Sequence, residues 1–421
     1  MAATEANPGP KRHWLRIFLP FAAGYYLSYL LRNANAVIAP ELRHELNLSA
    51  ADLGLLTSAY FFAFGAFQVP LGILLDRYGP RRVEAVLMLF AAAGTLLFAL
   101  GHDVTGLAVG RALIGLGVSA CLMAALKNFA QWYPAERQSS LTGAIMTAGM
   151  LGAITVTVPM EMLLPVLGWR GIFLSITAII LATTVWFYFA VPDHASEAPK
   201  TTLAEQLRGV GQIFASRHFW RFAPLMTLFS GGYMAVQGLW VVPWFINAEG
   251  LTRETAAQHL FAMTLSSLVS FFAIALFSTR LIQRGVKLTL LVGGLLMISW
   301  TCFALIVAGV RPALPLWLIF SFCTASTTLM YTALAANFAP TLFGRVSTAL
   351  NLMAFVGAFT LQWGIGLLID LFAAGGDTTS AFRTAFAIVA AVQLLAWGWF
   401  VLEGRRRTAL AAAARPLPPQ A

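Results

Sequence analysis

The segment Gly72-Ile-Leu-Leu-Asp76-Arg77-Tyr-Gly79-Pro-Arg81-Arg82 lies between two long apolar runs. It places a carboxylate at the end of the first run and follows it with arginines. The glycine at position 72 can let a neighbouring helix approach closely, and Asp76 can accept hydrogen bonds from the N-terminal amides of a facing helix. A loop that merely keeps positive charge on one side of a membrane would also be basic. A conformational latch and a plain basic loop are therefore both open at this point.

Apolar runs of the same kind fill most of the chain. Of its 421 residues, 59% are hydrophobic and 10% are charged, whereas a soluble domain carries roughly 25% charged residues. A membrane-spanning helix needs about 20 mostly apolar residues, so the composition would supply about twelve such helices. The net charge of +10 comes from Lys and Arg beside the apolar runs, as membrane topology requires. These numbers exclude a soluble enzyme and a nucleic-acid partner, and they predict an all-α, polytopic protein in a lipid bilayer.

Polar breaks between the runs predict twelve transmembrane helices in two pseudo-symmetric six-helix bundles. The helices are expected at residues 14–40, 51–75, 82–101, 104–131, 139–164, 171–191, 220–246, 256–277, 287–309, 313–336, 346–372 and 381–402. The longest polar segment, 192–219, is a predicted cytoplasmic linker between bundles at 14–191 and 220–402, with cytoplasmic tails at 1–13 and 403–421. A basic loop after helix 8 weakly repeats the loop after helix 2, and such repeats accompany alternating access around a central site.

Charge sets the orientation. With both termini in the cytoplasm, 19 of the 27 Lys and Arg lie on the inner side and 5 on the outer side, and Arg32, Arg111 and Lys127 lie inside helices. This distribution predicts a multi-pass protein of the cell inner membrane. The basic N-terminus superficially resembles a signal peptide, but its apolar run holds Arg32 and two asparagines, which predicts a retained first span. The three cysteines have no metal-ligand spacing, and no catalytic triad or nucleotide loop is seen, so we expect no metal, no cofactor and no enzyme.

Three motifs resemble those of the major facilitator superfamily of transporters. Residues 72–82 are similar to its signature loop G-x-L-x-D-R-x-G-R-R, apart from Ile73-Leu74 and Pro80. Gly110-Arg111-Ala-Leu-Ile-Gly115-Leu-Gly117 resembles its R-x-x-x-G-x-G element, and Gly168-Trp169-Arg170-Gly-Ile-Phe173 resembles its G-W-R-x-x-F turn.

The resemblance implies alternating access, with Asp76 facing the start of helix 11 near Arg345 in one conformation and leaving it in the other. It implies the following gating residues: Gly72, Asp76, Arg77, Gly79, Arg81, Arg82 and Arg111. The G-P-x-x-G-G element of drug antiporters is absent from helix 5, which argues against multidrug efflux.

Helix 1 carries the main candidate for substrate binding. At about 100° per residue, Tyr25, Tyr29 and Arg32 share one face, with Asn35 beside it. An arginine inside a span is costly unless it meets water, a protein partner or an anion, and its guanidinium offers a fork for carboxylate or phosphate. Snorkelling towards the helix end near Pro40, or a structural pair, is the alternative.

The same helix resembles helix 1 of the organophosphate:phosphate antiporters, the glycerol-3-phosphate transporter group. The matching residues are Gly24, Tyr25, Tyr29, Leu30, Arg32, Pro40 and Leu42. The resemblance implies that Arg32 contacts the charged group of the substrate. That group has a second arginine in helix 7, where this chain has no basic residue between Tyr233 and Trp244. We therefore expect a carboxylate or a similar small organic anion.

Other polar side chains extend the candidate site. Aromatic and amide groups share faces of helices 7, 10 and 11 and could hold the body of a small substrate, although such groups also pack helices together. Lys127 either adds a second charge to the cavity or snorkels to the cytoplasm. The predicted substrate-binding set is Tyr25, Tyr29, Arg32, Asn35, Lys127, Tyr233, Gln237, Trp240, Tyr331, Asn351 and Gln362.

The coupling ion leaves little trace in the sequence. Proton relays use acidic or histidine side chains inside the membrane, and the acidic groups considered within spans, Glu161 and Asp370, both lie near outer helix ends. We predict a monomeric secondary transporter that takes up a small organic anion by alternating access. Proton symport is the first choice for coupling, and exchange for another anion is also open. An exporter of amphipathic or neutral compounds and a non-transporting, ligand-sensing receptor are the alternatives.

Overall fold

The computed structural model describes residues 14–192, 208, 211–338, 343–373 and 377–413. These residues form helices and turns without a β-strand, which confirms the all-α prediction. The predicted tail 1–13, most of the predicted linker 192–219 and the end of the predicted tail 403–421 lie outside the described residues. The division into domains stays a prediction.

The first half of the chain contains six helical segments. A short π-helical turn, Trp14–Phe18, precedes α1, Leu19–Leu46. The helix Ala50–Leu100 bends at Gly79 and gives α2 (50–78) and α3 (80–100). Helix α4 is Val104–Trp132, with a turn after Gly117. Helix α5 is Ala135–Thr155, and Val158–Ala190 bends at Gly168 and gives a continuation of α5 (158–167) and α6 (169–190).

The second half contains six more. They are α7, Arg217–Asn247; α8, Arg253–Gln283; α9, Leu288–Val307; α10, Ala313–Ala335; α11, Phe343–Ala373; and α12, Thr378–Ala413. Within the described residues, ten helices are long and apolar enough to cross a membrane. Helix α1 carries Arg32 and charged residues near its end, and the apolar part of α5, Ser140–Thr155, is short. With these two included, the structure agrees with the predicted twelve-helix bundle.

Glycines set the two sharp bends and the tightest helix contacts. Gly79 (φ 78°) and Gly168 (φ 62°) adopt a left-handed backbone conformation that glycine tolerates best. Gly115 and Gly117 of α4 pack directly against the backbones of α2 and α3, where a Cβ would collide. The R-x-x-x-G-x-G element therefore works here as a close-packing surface.

The packing of buried side chains differs between the two ends of the molecule. We call the end with Gly79, Tyr133 and Gly344 the inner end, and the end with Asn47, Gly101 and Gly250 the outer end. One buried cluster extends through the first half and continues into the outer part of the second half, including Trp240, Trp317 and Phe382. A separate cluster, with Phe219, Val346 and Phe400, fills the inner part of the second half. The halves thus share a core only towards the outer end.

The outside of the bundle is apolar. Side chains such as Phe189, Leu395 and Phe272 are 80%, 73% and 54% exposed. Exposed apolar area on this scale suits a lipid environment and not water, as the composition predicts.

Candidate functional site

Arg32 lies where two cavities meet. Its guanidinium carbon is 4.6 Å from the ring centre of Tyr29, 5.3 Å from that of Phe64 and 5.9 Å from that of Phe355. These rings come from α1, α2 and α11, so the cation sits between the two halves. None of the ion pairs of the described residues includes Arg32, and its Nε has no hydrogen-bond partner among them. Aromatic faces stabilise the cation without neutralising it, which leaves it free to attract an anion.

The first cavity, which we call the central chamber, has a volume of ≈ 210 Å³. Tyr29, Arg32 and Asn33 line one side, and Tyr233, Gln237 and Asn351 line the opposite side. The Tyr233 hydroxyl is 2.5 Å from Ser267 Oγ, and Gln237 Nε2 donates to Thr264 Oγ1 at 3.2 Å. Helices α7 and α8 therefore hold these polar groups in place at the chamber wall.

The second cavity, the inner vestibule, has a volume of ≈ 620 Å³ and leads from Arg32 to residues near the inner end such as Leu126 and Gly344. Tyr25, Tyr29, Tyr331 and Asn351 line it. The Tyr331 hydroxyl donates to Asn351 Oδ1 at 2.9 Å. This bond occupies the amide oxygen, so the Asn351 NH2 group is the part that can donate to a ligand.

Three residues of the predicted binding set lie away from both cavities. Asn35 is 0% exposed and its amide donates to Thr57 Oγ1 at 2.7 Å, so it joins α1 to α2. Trp240 donates to the backbone oxygen of Gln362 at 2.9 Å and lines a separate cavity at the outer end. Gln362 is 0% exposed near that tryptophan. In this conformation, the three side chains pack between helices and do not face the central chamber or the inner vestibule.

Lys127 also lies outside the two cavities. Its Nζ is 2.5 Å from Asp76 Oδ1, and both side chains are partly exposed. Asp76 thus pairs with α4, and its contact with the start of α11 stays a prediction. Lys127 holds the signature loop to its own half and adds no charge to the chamber.

The remaining gating residues lie on both sides of the corner at Gly79, apart from Arg111 of α4. Gly72 is half-buried in α2, and Arg77 and Arg82 are exposed. Arg81 donates to the Tyr188 backbone oxygen at 2.9 Å, which fixes the start of α3 to the end of α6. Arg111 is 0% exposed and donates to the Leu31 backbone oxygen at 2.8 Å. It lies inside the first half, where it fixes the backbone next to Arg32 and not the gate itself.

Arg253 connects the two halves at the outer end. This α8 residue forms ion pairs with Glu41 of α1 and with Glu161, the latter at 2.6 Å, and it donates to the Val37 backbone oxygen at 3.2 Å. Its partners all belong to the first half. The sequence showed Glu161 near an outer end but gave no partner for it.

A second connection joins α11 to α2 at the same end. Asp370 Oδ1 accepts from the Ala50 amide at 2.9 Å and Oδ2 accepts from the Ala51 amide at 2.7 Å. Gly366, one turn earlier, packs directly on the Ala50 backbone. A carboxylate at a helix N-terminus satisfies otherwise unpaired amides and complements the helix dipole. The outer end is therefore closed by Arg253 and Asp370, while the vestibule runs towards the inner end.

Sequence reasoning missed one buried acid, Glu84 of α3. It lies two residues after Arg82, inside the predicted span 82–101, yet it is not among the acidic groups considered within spans; its side chain is 0% exposed. Its spacing from the buried residues Met88, Ala91 and Thr95 is helical, and this periodicity is the signal that could have identified it.

Known proteins agree with this architecture. The chain is 28% identical over 187 residues to the probable sulfoacetate transporter SauU of Cupriavidus necator. This alignment covers 44% of this chain and 43% of that protein. The chain is also 27% identical over 213 residues to the probable L-galactonate transporter of Escherichia coli strain K12. This alignment covers 51% of this chain and 46% of that protein. The matched part spans less than half the length of each of these relatives.

A solved structure extends the likeness to almost the whole fold. A bacterial homologue of the human lysosomal transporter Spinster, in an inward-facing and unoccupied conformation, superposes with a TM-score of 0.76 at 16% identity. The superposition covers 94% of this chain and 98% of that one. Residues 21–362 match the family description of the Major Facilitator Superfamily. The chain therefore belongs to the Major Facilitator Superfamily, a family of transporters and not of enzymes.

Proposed function

We propose that this protein is a secondary transporter of a small organic anion with one or two acid groups, bound at Arg32 and moved by alternating access. The observation that carries the proposal is the isolation of this cation. Among the described residues that line the central chamber and the inner vestibule, Arg32 is the one charged side chain. A buried arginine without a carboxylate is costly, and an anionic substrate would remove that cost.

The chamber also limits substrate size and chemistry. Pockets for drug-sized ligands enclose roughly 300–1,000 Å³, and the chamber encloses ≈ 210 Å³. Its lining offers the amides of Gln237 and Asn351 and the hydroxyls of Tyr233 and Ser230. These groups suit the hydroxyl groups of a sugar acid, with its carboxylate on Arg32.

The two relatives support the same substrate class. One is named for sulfoacetate and the other for L-galactonate, and both compounds are small organic anions. The resemblance of α1 to the glycerol-3-phosphate transporter group points to the same arginine but to a phosphate ester. A dianionic phosphate ester would find one cation, Arg32, among the described lining residues to balance its two negative charges. We therefore favour a sugar acid or a sulfonated acid.

The proposal includes uptake by proton symport through a monomer in the inner membrane, with both termini in the cytoplasm. The ratio of basic residues between the inner and outer sides, 19 to 5, supports this orientation. The inner vestibule then opens to the cytoplasm, where a substrate taken up from outside would leave.

Transport in proteoliposomes tests the proposal. Radiolabelled L-galactonate, sulfoacetate and glycerol 3-phosphate would be offered to vesicles with an inward proton gradient. We expect the gradient to drive accumulation of L-galactonate or sulfoacetate, and Arg32→Ala to abolish it. Transport of a neutral or amphipathic compound that survives Arg32→Ala would contradict the proposal and favour an exporter. Binding of an anion without flux would favour a receptor.

A further inference from the structure

A buried carboxyl group of α3 lies next to Gly24 of α1. Glu84 of α3 is 0% exposed, and among the described residues the one side chain that bonds its carboxyl group is the weakly donating thiol of Cys121. It lies one turn beyond the corner at Gly79. No ion pair of the described residues includes it.

The surroundings of this carboxyl are small or apolar. On α1 it faces Gly24, where a Cβ would lie 2.6 Å from Glu84 Oε1, and on α4 its neighbour is the buried thiol of Cys121. Phe187 of α6 packs against Phe21 of α1, with ring centres 4.8 Å apart. Among the described residues, no basic side chain forms an ion pair with this carboxyl.

The charged groups near this end of the bundle are engaged elsewhere. Lys127, six residues beyond Cys121 on α4, pairs with Asp76. Arg81, on the helix that carries Glu84, donates to the Tyr188 backbone oxygen, and Arg82 is exposed. Burying an ionised carboxylate without a partner costs far more than burying the neutral acid.

We infer that Glu84 is the proton-binding site of this transporter and holds a proton in the inward-open conformation. The inference rests on the proposed function, because it supplies the group that couples anion transport to a proton gradient. The reaction is a simple exchange: the carboxylate takes a proton from water, and the acid later returns it to water. The substrate forms no bond with Glu84.

Helix α1 connects this group with the anion site. Gly24, Ser28 and Arg32 follow one another at one-turn spacing, about 6 Å apart at 1.5 Å rise per residue. Ser28 lines the vestibule, and its buried Oγ has no hydrogen-bond partner among the described residues. A water at Ser28 could therefore carry the proton between Glu84 and the vestibule.

The same helix explains how the two ligands would influence each other. Ionised Glu84 needs water or a stronger donor than the Cys121 thiol to stabilise its charge, and the close contact with Gly24 leaves little room for either. Loss of the proton therefore requires α1 to loosen from α3, and an anion on Arg32 also acts on α1. Two ligands that bias one element are thermodynamically coupled.

Infrared spectroscopy of the purified protein at neutral pH tests the proton site without a substrate. The carbonyl stretch of a protonated carboxyl should be present in the native protein and lost in Glu84→Gln. The exposed Glu254→Gln is the matched control and should leave the band unchanged. Superimposable bands in the native protein and Glu84→Gln would overturn the inference. If Glu84→Gln does not fold, Glu84→Asp should keep a protonated band at a shifted frequency, and an unshifted band would contradict us.

Proton flux in proteoliposomes tests the coupling. For L-galactonate, Glu84→Gln should lower proton-driven accumulation by at least about tenfold, while exchange of internal for external substrate changes by less than about twofold. Proton uptake that still accompanies substrate in Glu84→Gln would overturn the inference. If the native protein does not transport L-galactonate, the proposed function is at fault, and the infrared result still decides the state of Glu84.

Discussion

The carboxylate of Asp370 near the end of α11 caps the first turn of α2 by accepting from the Ala50 and Ala51 amides at 2.9 and 2.7 Å. The contact joins the two halves at the outer end. The signature loop is expected to make the same kind of contact at the inner end, where Asp76 would face the start of α11. An outer cap that is formed while Asp76 pairs with Lys127 fits a carrier that closes one end at a time.

Removing the outer cap should shift the protein towards an outward-open conformation. Replacing a capping carboxylate costs about 0.5–2 kcal/mol, so Asp370→Ala should raise the outward-open to inward-open ratio about 2- to 30-fold. Spin labels at Thr105 and Gln258, both exposed at the outer end on opposite halves, would report this change as longer distances.

The control for Asp370→Ala is Asp52→Ala. Asp52 forms a capping box with Ser49 at the start of α2, and its hydrogen bonds stay within the first half. It should lower helix stability without changing the distance distribution. Equal distributions in native protein and Asp370→Ala would show that the contact does not close the outer end.

Arg253→Gln should open the outer end further than Asp370→Ala. Loss of the guanidinium leaves Glu41 and Glu161 without their shared cation at the contact between the halves. Because Arg253 is about one-third exposed, solvent screening limits its contribution. The same spin-label distances should lengthen, and high salt should produce a weaker form of this change in the native protein.

The matched control is Arg170→Gln, whose ion pair with Glu45 lies within the first half. This variant should leave the distances unchanged. If Arg170→Gln opened the outer end as much as Arg253→Gln, the effect would reflect general destabilisation.

The sequence predicted the positions of the helices more accurately than it predicted which residues line the two cavities. Hydropathy predicts the spans because lipid demands apolar surface. It cannot show that Asn35 bonds Thr57, because a helical face does not name its neighbour. The π-helical turn Val236–Trp240 holds an extra residue, which rotates Trp240 away from Tyr233 and Gln237. Asn351 and Gln362 share a face, but eleven residues separate them by about 16 Å along the helix.

A new negative charge in the chamber should prevent anion binding. Asn351 lines both cavities with Arg32, so Asn351→Asp would offer Arg32 an internal partner and repel the substrate. We expect the affinity for L-galactonate, measured by calorimetry, to fall by about tenfold or more. Asn337→Asp makes the same change at an exposed position of the inner end and should bind normally. Equal affinities for L-galactonate in Asn351→Asp and Asn337→Asp would show that the anion does not bind in the central chamber.

Lys127→Met should affect transport but not binding. Lys127 pairs with Asp76 outside the chamber, so the affinity for L-galactonate should stay within about twofold of the native value. Transport should change, because Asp76 loses the partner that holds it in the inward-open conformation. A large loss of affinity, measured by calorimetry, would instead make Lys127 the second cation of the site.

The central claim is that Arg32 binds the charged group of the substrate, and calorimetric titration of purified native protein, Arg32→Lys and Arg32→Ala with L-galactonate and sulfoacetate measures it directly. The account predicts that at least one anion binds the native protein, that Arg32→Lys weakens it about tenfold through loss of the bidentate fork, and that Arg32→Ala removes detectable binding. Equal affinities in all three proteins would contradict it.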